Sequence, residues 1–258
     1  MRITIWNEFY AEQQPPEALG FDHDVREVYP EGIHRALARG LGAFDGVQVR
    51  TATPQEPEQG LPDDVLDATD VLFWWGHFRH ADVDDAVVDR VERQVHAGMG
   101  LVLLHSATSA KVFKRVLGTV GGIHGWRHGD KEVLWTVDPA HPIARGVTIP
   151  LVIEQSEMYC EPFNIPRPDD VVFISSFSGG EVVRSGVTYQ RGLGRVFFFA
   201  PGHEEFPIYD DPDVLRILHN AATWAARPSW LPPLKQVCGS PQRPAGWFER
   251  QGQKADQR

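Results

Sequence analysis

The sequence predicts an α/β domain built on a doubly wound, mostly parallel sheet, with an antiparallel excursion in the second half of the chain. Short β-rich segments alternate with amphipathic helical segments through the first half, as in sheets whose strands are joined by helical crossovers. Several of these strands are uninterrupted apolar runs, which is typical of parallel strands buried on both faces. Farther along, β-rich segments follow one another without helices between them, which predicts the excursion.

The first half alternates strands and helices in order. Strands are predicted at 2–6, 47–51, 71–75 and 101–104. The first long helix follows Tyr29, with Pro30 in its first turn and an apolar stripe at Ile33, Leu37 and Leu41. Further helices are predicted at 61–66, 83–97 and 109–117, the last capped by Ser109 or Thr108.

The second half begins with a Gly/His loop at 121–129. Strands are predicted at 131–137, 151–153, 171–177, 182–189 and 195–200, and a last helix at 211–226. From residue 228 the composition changes to Pro, Gln, Gly, Arg and Lys. We therefore expect one domain over residues 1–227 and a Pro-rich tail over 228–258.

Composition argues against several function classes. The 258 residues carry a net charge of −10, which argues against nucleic acid as a partner because a phosphate backbone attracts a basic face. No apolar run approaches the roughly 20 residues that span a bilayer, so no membrane partner is expected. No secretory signal is visible, and Cys160 and Cys238 form no CxxC pair, which favours a cytoplasmic protein with free thiols. Without a GxGxxG or P-loop motif, no nucleotide cofactor is expected.

Three buried strands are each followed closely by a histidine, namely His77, His105 and His203. Because the carboxyl ends of parallel strands meet at one edge of a sheet, we expect the three imidazoles to converge there. Glu157, from the excursion, would add a carboxylate. Such a set suits either paired acid and base groups or a divalent metal with an open position, zinc for nitrogen-rich ligation and manganese if carboxylates dominate.

Each candidate has a role attached to it. His105, His203 and Glu157 are the candidate catalytic groups, and His77, His105 and His203 are the candidate metal ligands. Structural roles remain open for all of them: helix capping, a bond to a backbone carbonyl, or a solvated glutamate. Residues that could bind a sugar by hydrogen bonding or stacking are Asn7, Glu8, Trp75, Arg127 and Tyr159, although a tryptophan in the apolar run at 71–75 also suits the core.

Two further histidines, His124 and His128, lie four residues apart in the Gly-rich loop. This spacing would place both on one face of a helix, but the glycines at 121, 122, 125 and 129 argue against a helix. We therefore expect a lid or substrate loop here rather than a metal site.

At these residues the sequence resembles the ThuA-like, trehalose-utilisation family, from Ile3 to about Trp224. The resemblance is carried by a series of short motifs: Val-Tyr-Pro-Glu-Gly-Ile-His (28–34), Trp-Trp-Gly-His (74–77), Leu-His-Ser (104–106), Phe-Lys-Arg-Val-Leu-Gly-Thr (113–119), Trp-Arg (126–127), Pro-Ala-His-Pro-Ile-Ala (139–144), Glu-Met-Tyr (157–159), Phe-Ile-Ser (173–175), Gly-Gly-Glu-Val-Val-Arg-Ser-Gly (179–186) and Pro-Gly-His-Glu (201–204).

The resemblance implies a flavodoxin-like fold similar to class I glutamine amidotransferases. Those enzymes place a cysteine nucleophile after a central strand, and here His105 stands at that position, while His203 resembles their catalytic histidine. Without a thiol at that turn, glutamine hydrolysis by their mechanism is not expected. The resemblance also implies carbohydrate metabolism, in company with oxidoreductases that make keto-sugars from trehalose and related disaccharides.

The leading hypothesis is an enzyme that acts on a sugar or keto-glycoside by isomerisation, epimerisation or elimination through a histidine or metal centre. One alternative is a non-catalytic sugar-binding or regulatory partner of a sugar oxidoreductase, and another is a metal-dependent hydrolase. The aromatic-rich excursion and the Pro-rich tail also lead us to expect a homo-oligomer.

Overall fold

The computed structural model describes residues 1–230 and shows a mixed α/β architecture around one nine-stranded sheet in the order β2-β1-β3-β4-β9-β8-β7-β5-β6. Cys238 and the predicted tail from residue 231 onward lie outside the described residues. The strands are β1 (Arg2–Asn7), β2 (Gln48–Ala52), β3 (Val71–Trp75), β4 (Gly100–Leu104), β5 (Gly125–Thr136), β6 (Leu151–Cys160), β7 (Asp170–Phe177), β8 (Val182–Arg191) and β9 (Gly194–Phe199).

The sheet changes character across its width. Strands β2, β1, β3, β4 and β9 are parallel neighbours, whereas β9, β8, β7, β5 and β6 are joined by antiparallel pairings. The predicted order of a parallel first half and an antiparallel second half is confirmed. The antiparallel part is larger than predicted, because it supplies four of the eight neighbouring pairs within residues 1–230.

The helices pack in two groups against alternate residues of the parallel strands. The helices are α1 (Pro16–Leu19), α2 (Val25–Val28), α3 (Ile33–Gly42), α4 (Asp63–Asp67), α5 (Asp85–His96), α6 (Lys111–Leu117) and α7 (Pro212–Ala225). One core joins α3 and α7 to the β3 residues Val71, Phe73 and Trp75, and the other joins α5 and α6 to Leu72 and Trp74. This alternation explains why β3 is apolar throughout, since both of its faces are covered.

Three local predictions are corrected by the structure. Pro30 precedes α3, which begins at Ile33 after Gly32; the φ angle of 90° at Gly32 suits a residue without a side chain. Helix α6 follows Ala110 with no side-chain cap, because residues 105–109 form a 3-10 turn before it. Strand β5 begins at Gly125 and β6 extends to Cys160, so the predicted loop around His128 and the segment around Glu157 are both extended strand.

No helix among residues 1–230 combines the length and apolar character needed to cross a lipid bilayer.

Candidate functional site

The carboxyl ends of three adjacent parallel strands bring three imidazoles together. His77 follows β3, His105 follows β4 and His203 follows β9, and these strands are direct neighbours in the sheet. The ring centroid of His203 lies 5.6 Å from that of His77 and 5.4 Å from that of His105. A fourth imidazole, His128 of β5, lies 4.6 Å from His203 by the same measure.

His77 is paired with a buried carboxylate. Its Nδ1 lies 2.7 Å from Oε1 of Glu204, which is completely buried, while the His77 side chain is 25% exposed. The backbone N–H groups of His77 and Phe78 donate to the carboxylate of Glu8 at 3.1 Å and 2.8 Å, which holds the turn after β3 in place. A carboxylate behind one ring nitrogen orients the imidazole and leaves its other nitrogen for proton transfer.

Glu157 is held between two histidines. Its Oε2 lies 2.9 Å from Nε2 of His105, and its Oε1 lies 3.0 Å from Nε2 of His128. Behind it, Nδ1 of His105 donates to the carbonyl of Ala200 at 2.6 Å, which fixes that ring. The hydroxyl of Tyr159 lies 3.1 Å from Nε2 of His105, and the two rings stack with centroids 4.6 Å apart.

His203 stands at the centre of the cluster with its Nε2 unpaired. This atom is buried and lies 3.8 Å from both Oε1 of Glu157 and Oε2 of Glu204. Its Nδ1 accepts the backbone N–H of Glu205 at 3.3 Å. The buried Oε2 of Glu204 also lacks a hydrogen-bond partner, whereas the buried Oε2 of Glu205 lies 3.2 Å from Nδ1 of His128. Unpaired buried polar atoms are costly, so this concentration of them indicates a functional site.

Burial and neighbouring charges move the pKa values of these groups in opposite directions. Burial lowers the pKa of His203 to about 4 against the pull of the nearby carboxylates. Burial tends to raise the pKa of Glu157, but the hydrogen bonds from His105 and His128 outweigh it and the pKa falls below its ordinary value. The bond to Glu157 raises the pKa of His128. Burial alone would lower the pKa of His77, but the charge and hydrogen bond of Glu204 raise it.

A cavity of about 510 Å³ opens above this cluster. Such a volume is ordinary for a small-molecule site. His105 and His203 are fully buried beneath it and do not line it. The lining combines apolar and polar side chains, namely Leu19, Phe21, His77, Phe78, His80, Ser106, Thr108, Ser109, Ile123, Trp126, His128, Glu157 and Tyr159.

The same cluster contains groups that could hold a metal ion. Three sets of donor atoms each lie within 4.8 Å of one another, and His203 belongs to all three: His77, His203 and Glu204; His105, Glu157 and His203; His128, His203 and Glu205. Imidazole nitrogen and carboxylate oxygen are ligands that zinc accepts.

Comparison of the sequence with models of known protein families shows which family the chain belongs to. The ThuA family model, described as trehalose utilisation, matches residues 3–225. The chain belongs to the ThuA family. Comparison with curated proteins gave no significant match.

Solved structures show the same fold at low sequence identity. A ThuA-like protein from Parabacteroides merdae is 17% identical with a TM-score of 0.61, the alignment covering 87% of this chain and 89% of that one. A cytoplasmic protein from Salmonella typhimurium is 14% identical with a TM-score of 0.60, covering 88% and 100%. A ThuA-like protein from Bacteroides uniformis is 18% identical with a TM-score of 0.57, covering 86% and 90%.

Several residues that the sequence suggests for sugar binding lie elsewhere in this ThuA-family chain. Asn7 is fully buried and donates to Glu12 and to His34, and Trp75 is core, with Nε1 donating to the carbonyl of Gly202 at 3.2 Å. Neither lines the cavity, because their strands are covered on both faces.

Glu8 and Arg127 also have other partners. Glu8 holds the turn that carries His77 and Phe78, and borders a separate, smaller cavity. Arg127 pairs with Glu181 and Asp130, because strand alternation turns it away from its neighbours on β5. Of the five suggested sugar-binding residues, Tyr159 lines the cavity.

Sequence reasoning missed three groups of the cluster: His128, Glu204 and Glu205. The two glutamates follow His203 directly, so a pair of carboxylates after a strand-end histidine was the available signal. For His128, the alternation of Trp126 and His128 at period two indicates strand, but the surrounding glycines outweighed it in the sequence interpretation.

Proposed function

We propose that this protein is an enzyme of carbohydrate metabolism that transfers protons beside the carbonyl of a keto-glycoside, and so isomerises, epimerises or eliminates it. The observation that carries the proposal is a cavity lined by two groups able to transfer a proton: His77, backed by Glu204, and Glu157, between His105 and His128. Family membership in trehalose utilisation supports a sugar as the substrate.

Some residues of the cluster would touch the substrate, and others hold those substrate-contacting side chains in position. His77, Glu157, His128 and Tyr159 line the cavity and can reach a bound sugar. Glu204 orients His77, and His105 orients Glu157, from positions beneath the cavity floor. All three reactions begin when a base removes a proton from the carbon beside the carbonyl. An acid then returns a proton to another atom in isomerisation, returns it to the opposite face of the same carbon in epimerisation, or protonates the departing glycosidic oxygen in elimination, and this arrangement supplies both a base and an acid.

Exchange with deuterated water tests the proposal. We expect the protein to incorporate deuterium beside the carbonyl of 3-ketotrehalose, observed by NMR, because enolisation exchanges that hydrogen with solvent. His77→Gln should slow the exchange by about a hundredfold or more, since a positioned acid or base contributes that much. His96→Gln is the matched control, because His96 is an exposed histidine outside the cavity.

Other outcomes of the same experiment would overturn the proposal. Cleavage of the glycosidic bond to a saturated keto-sugar that carries no deuterium would indicate a hydrolase, because elimination would leave a carbon–carbon double bond beside the carbonyl. Tight sugar binding with neither exchange nor cleavage would indicate a binding or regulatory partner of an oxidoreductase. Unchanged exchange in the His77 variant would remove that residue from the mechanism.

A metal-assisted form of this chemistry is the second candidate, favoured by the unpaired atoms Nε2 of His203 and Oε2 of Glu204. His77, His203 and Glu204 would hold the ion, zinc by their nitrogen content or manganese if Glu157 also contributes. A bound ion would polarise the substrate carbonyl as a Lewis acid. If His203 bound the ion through Nε2, its Nδ1 would carry the ring proton. The hydrogen bond that Nδ1 accepts from the Glu205 amide would then be replaced by one that Nδ1 donates to Oε2 of Glu205, 3.6 Å away.

Metal content separates the two forms. After dialysis against zinc or manganese and removal of excess ion, we expect about one equivalent per chain by elemental analysis, and a clear loss in His203→Asn because a three-ligand site loses one donor. The His96→Gln variant should retain the ion. Wild-type protein that exchanges deuterium while holding no ion would reject the metal-assisted form and leave the His77–Glu204 pair as the acid–base group.

A further inference from the structure

Trp126 is a large aromatic side chain that stands exposed at the cavity mouth. It is 64% exposed although it lines the cavity, and no role in the cluster accounts for it. It lies on β5, where Trp126 is paired in register with Tyr159 of β6. Alternation along β5 places Trp126 and His128 on the cavity side.

We propose that Trp126 is the platform of a second sugar subsite, on which the ring next to the reacting ring of a glycoside stacks. The inference rests on the proposed function in taking a sugar as the cavity's ligand. It deepens that function by specifying a two-ring substrate and the residue that selects it.

The order of contacts across the cavity supports two subsites. The ring of Trp126 lies 5.2 Å from that of His128, and His128 lies 4.6 Å from His203 at the centre of the cluster. A sugar ring on Trp126 is therefore one side chain away from the proton-transferring groups. At that distance Trp126 would contact the sugar ring next to the reacting ring, while the reacting ring itself would lie over the proton-transferring groups.

The other side chains that line the cavity suit both the apolar C–H faces and the polar hydroxyl edges of a pyranose. Phe21 and Phe78, with ring centroids 5.7 Å apart, add apolar surface, and Phe21 lies 6.0 Å from His128. The C–H faces of a sugar pack on aromatic rings, and its hydroxyl edges require polar partners. Hydroxyl groups lining the same cavity, including those of Thr108 and Ser109, can supply them.

Binding of unreactive sugars tests the subsite. Trehalose and glucose are titrated into wild-type protein and followed by calorimetry, with the same titrations on variants. We expect Trp126→Ala to bind trehalose about tenfold more weakly, a loss of about 1.4 kcal/mol, and to bind glucose as the wild type does. Trp126→Phe should recover most of the affinity because it keeps an aromatic face.

Trp230→Ala is the matched control, since Trp230 is 79% exposed and does not line the cavity. Equal trehalose affinity in Trp126→Ala and wild type would overturn the inference, as would a wild type that binds no trehalose. A change of molecular mass in solution with unchanged sugar binding would assign Trp126 to a contact between subunits instead.

The two proposals fail separately. Weakened trehalose binding in Trp126→Ala, together with no deuterium exchange by the wild type, would keep the subsite and reject the enzyme mechanism. Deuterium exchange that depends on His77, together with trehalose affinity that is unchanged in Trp126→Ala, would keep the enzyme mechanism and reject the subsite.

Discussion

Gly202 positions His203, and neither the backbone conformation nor the space around this residue suits a larger side chain. Its φ angle is 142°, a conformation that side chains rarely adopt. A Cβ added there would collide with the hydroxyl of buried Tyr209 and lie 3.3 Å from Cβ of His105. The glycine therefore lets the chain after β9 pass close to the turn after β4, which is how His203 comes beside His105.

Replacing this glycine should destabilise the protein. For Gly202→Ala we expect a loss of about 2 to 4 kcal/mol in the free energy of unfolding, from backbone strain together with overpacking. Urea unfolding measures it, with Gly42→Ala as control, because Gly42 has an ordinary φ and its nearest neighbour is 3.9 Å from an added Cβ. Adding Tyr209→Phe should recover part of the loss by removing the colliding hydroxyl. Equal stability of the two glycine variants would contradict this account.

His105 shows a second form of strain at the residue scale. Its φ angle is 45°, in the left-handed region that non-glycine residues seldom occupy. It begins the 3-10 turn after β4, and both ring nitrogens have partners, the carbonyl of Ala200 and the Glu157–Tyr159 pair. Strain retained in a residue with this many contacts is characteristic of functional turns.

Among the elements, β5 and β6 complete the site. Their pairing shifts register between Arg127 and Asp130, where β5 has one more residue than β6, and this irregularity includes His128. The pairs before the bulge, Trp126 with Tyr159 and Arg127 with Met158, are in regular register, and the next residues in that register are His128 and Glu157. Regular antiparallel pairing therefore accounts for His128 facing Glu157, and a single sequence does not show which strands pair.

Farther along the same strands, Glu132 is buried between β6 and β7. It accepts hydrogen bonds from Ser156, at 2.6 Å, and from Ser175. Burial raises its pKa above the ordinary 4.5, and the two serine hydroxyls only partly offset the effect. The folded state therefore holds this proton more tightly than the unfolded state does.

This difference predicts a pH-dependent stability. The contribution of Glu132 is fully present below pH 4.5 and is lost as pH rises through the raised pKa, at about 1.4 kcal/mol for each unit of elevation. Glu132→Gln cannot titrate, so its unfolding free energy relative to wild type should increase as pH rises above 4.5. Glu154→Gln, at an exposed β6 glutamate paired with Lys131, is the control. Parallel pH profiles for wild type and Glu132→Gln would contradict the prediction.

At the scale of the whole molecule, the site lies where the parallel and antiparallel parts of the sheet meet. His77 and His105 come from parallel strand ends, Glu157 and His128 from the antiparallel part, and His203 follows the strand that joins them. The residues that make the cluster are therefore far apart in sequence. His77 and Glu204, for example, are separated by 127 positions.

The fold was more predictable than the site. Strand periodicity and buried apolar runs located β1, β3, β4 and β9, because local side-chain patterns record which faces are covered. The histidines at strand ends followed from the rule for parallel sheets. Asn7 and Trp75 looked suitable for sugar binding by residue type, but exposure depends on helices and loops packed from elsewhere in the chain.

The sequence by itself determined the α/β class, the order of the strands along the chain and the convergence of three imidazoles at one sheet edge. The tertiary structure decided which of them meet the cavity, and it added Glu204, Glu205 and His128 to the cluster. The physical reason is the separation along the chain over which each property is determined. Periodicity and strand-end position are local properties of the chain, whereas burial, ion pairing and the shape of a cavity are set by contacts between distant segments.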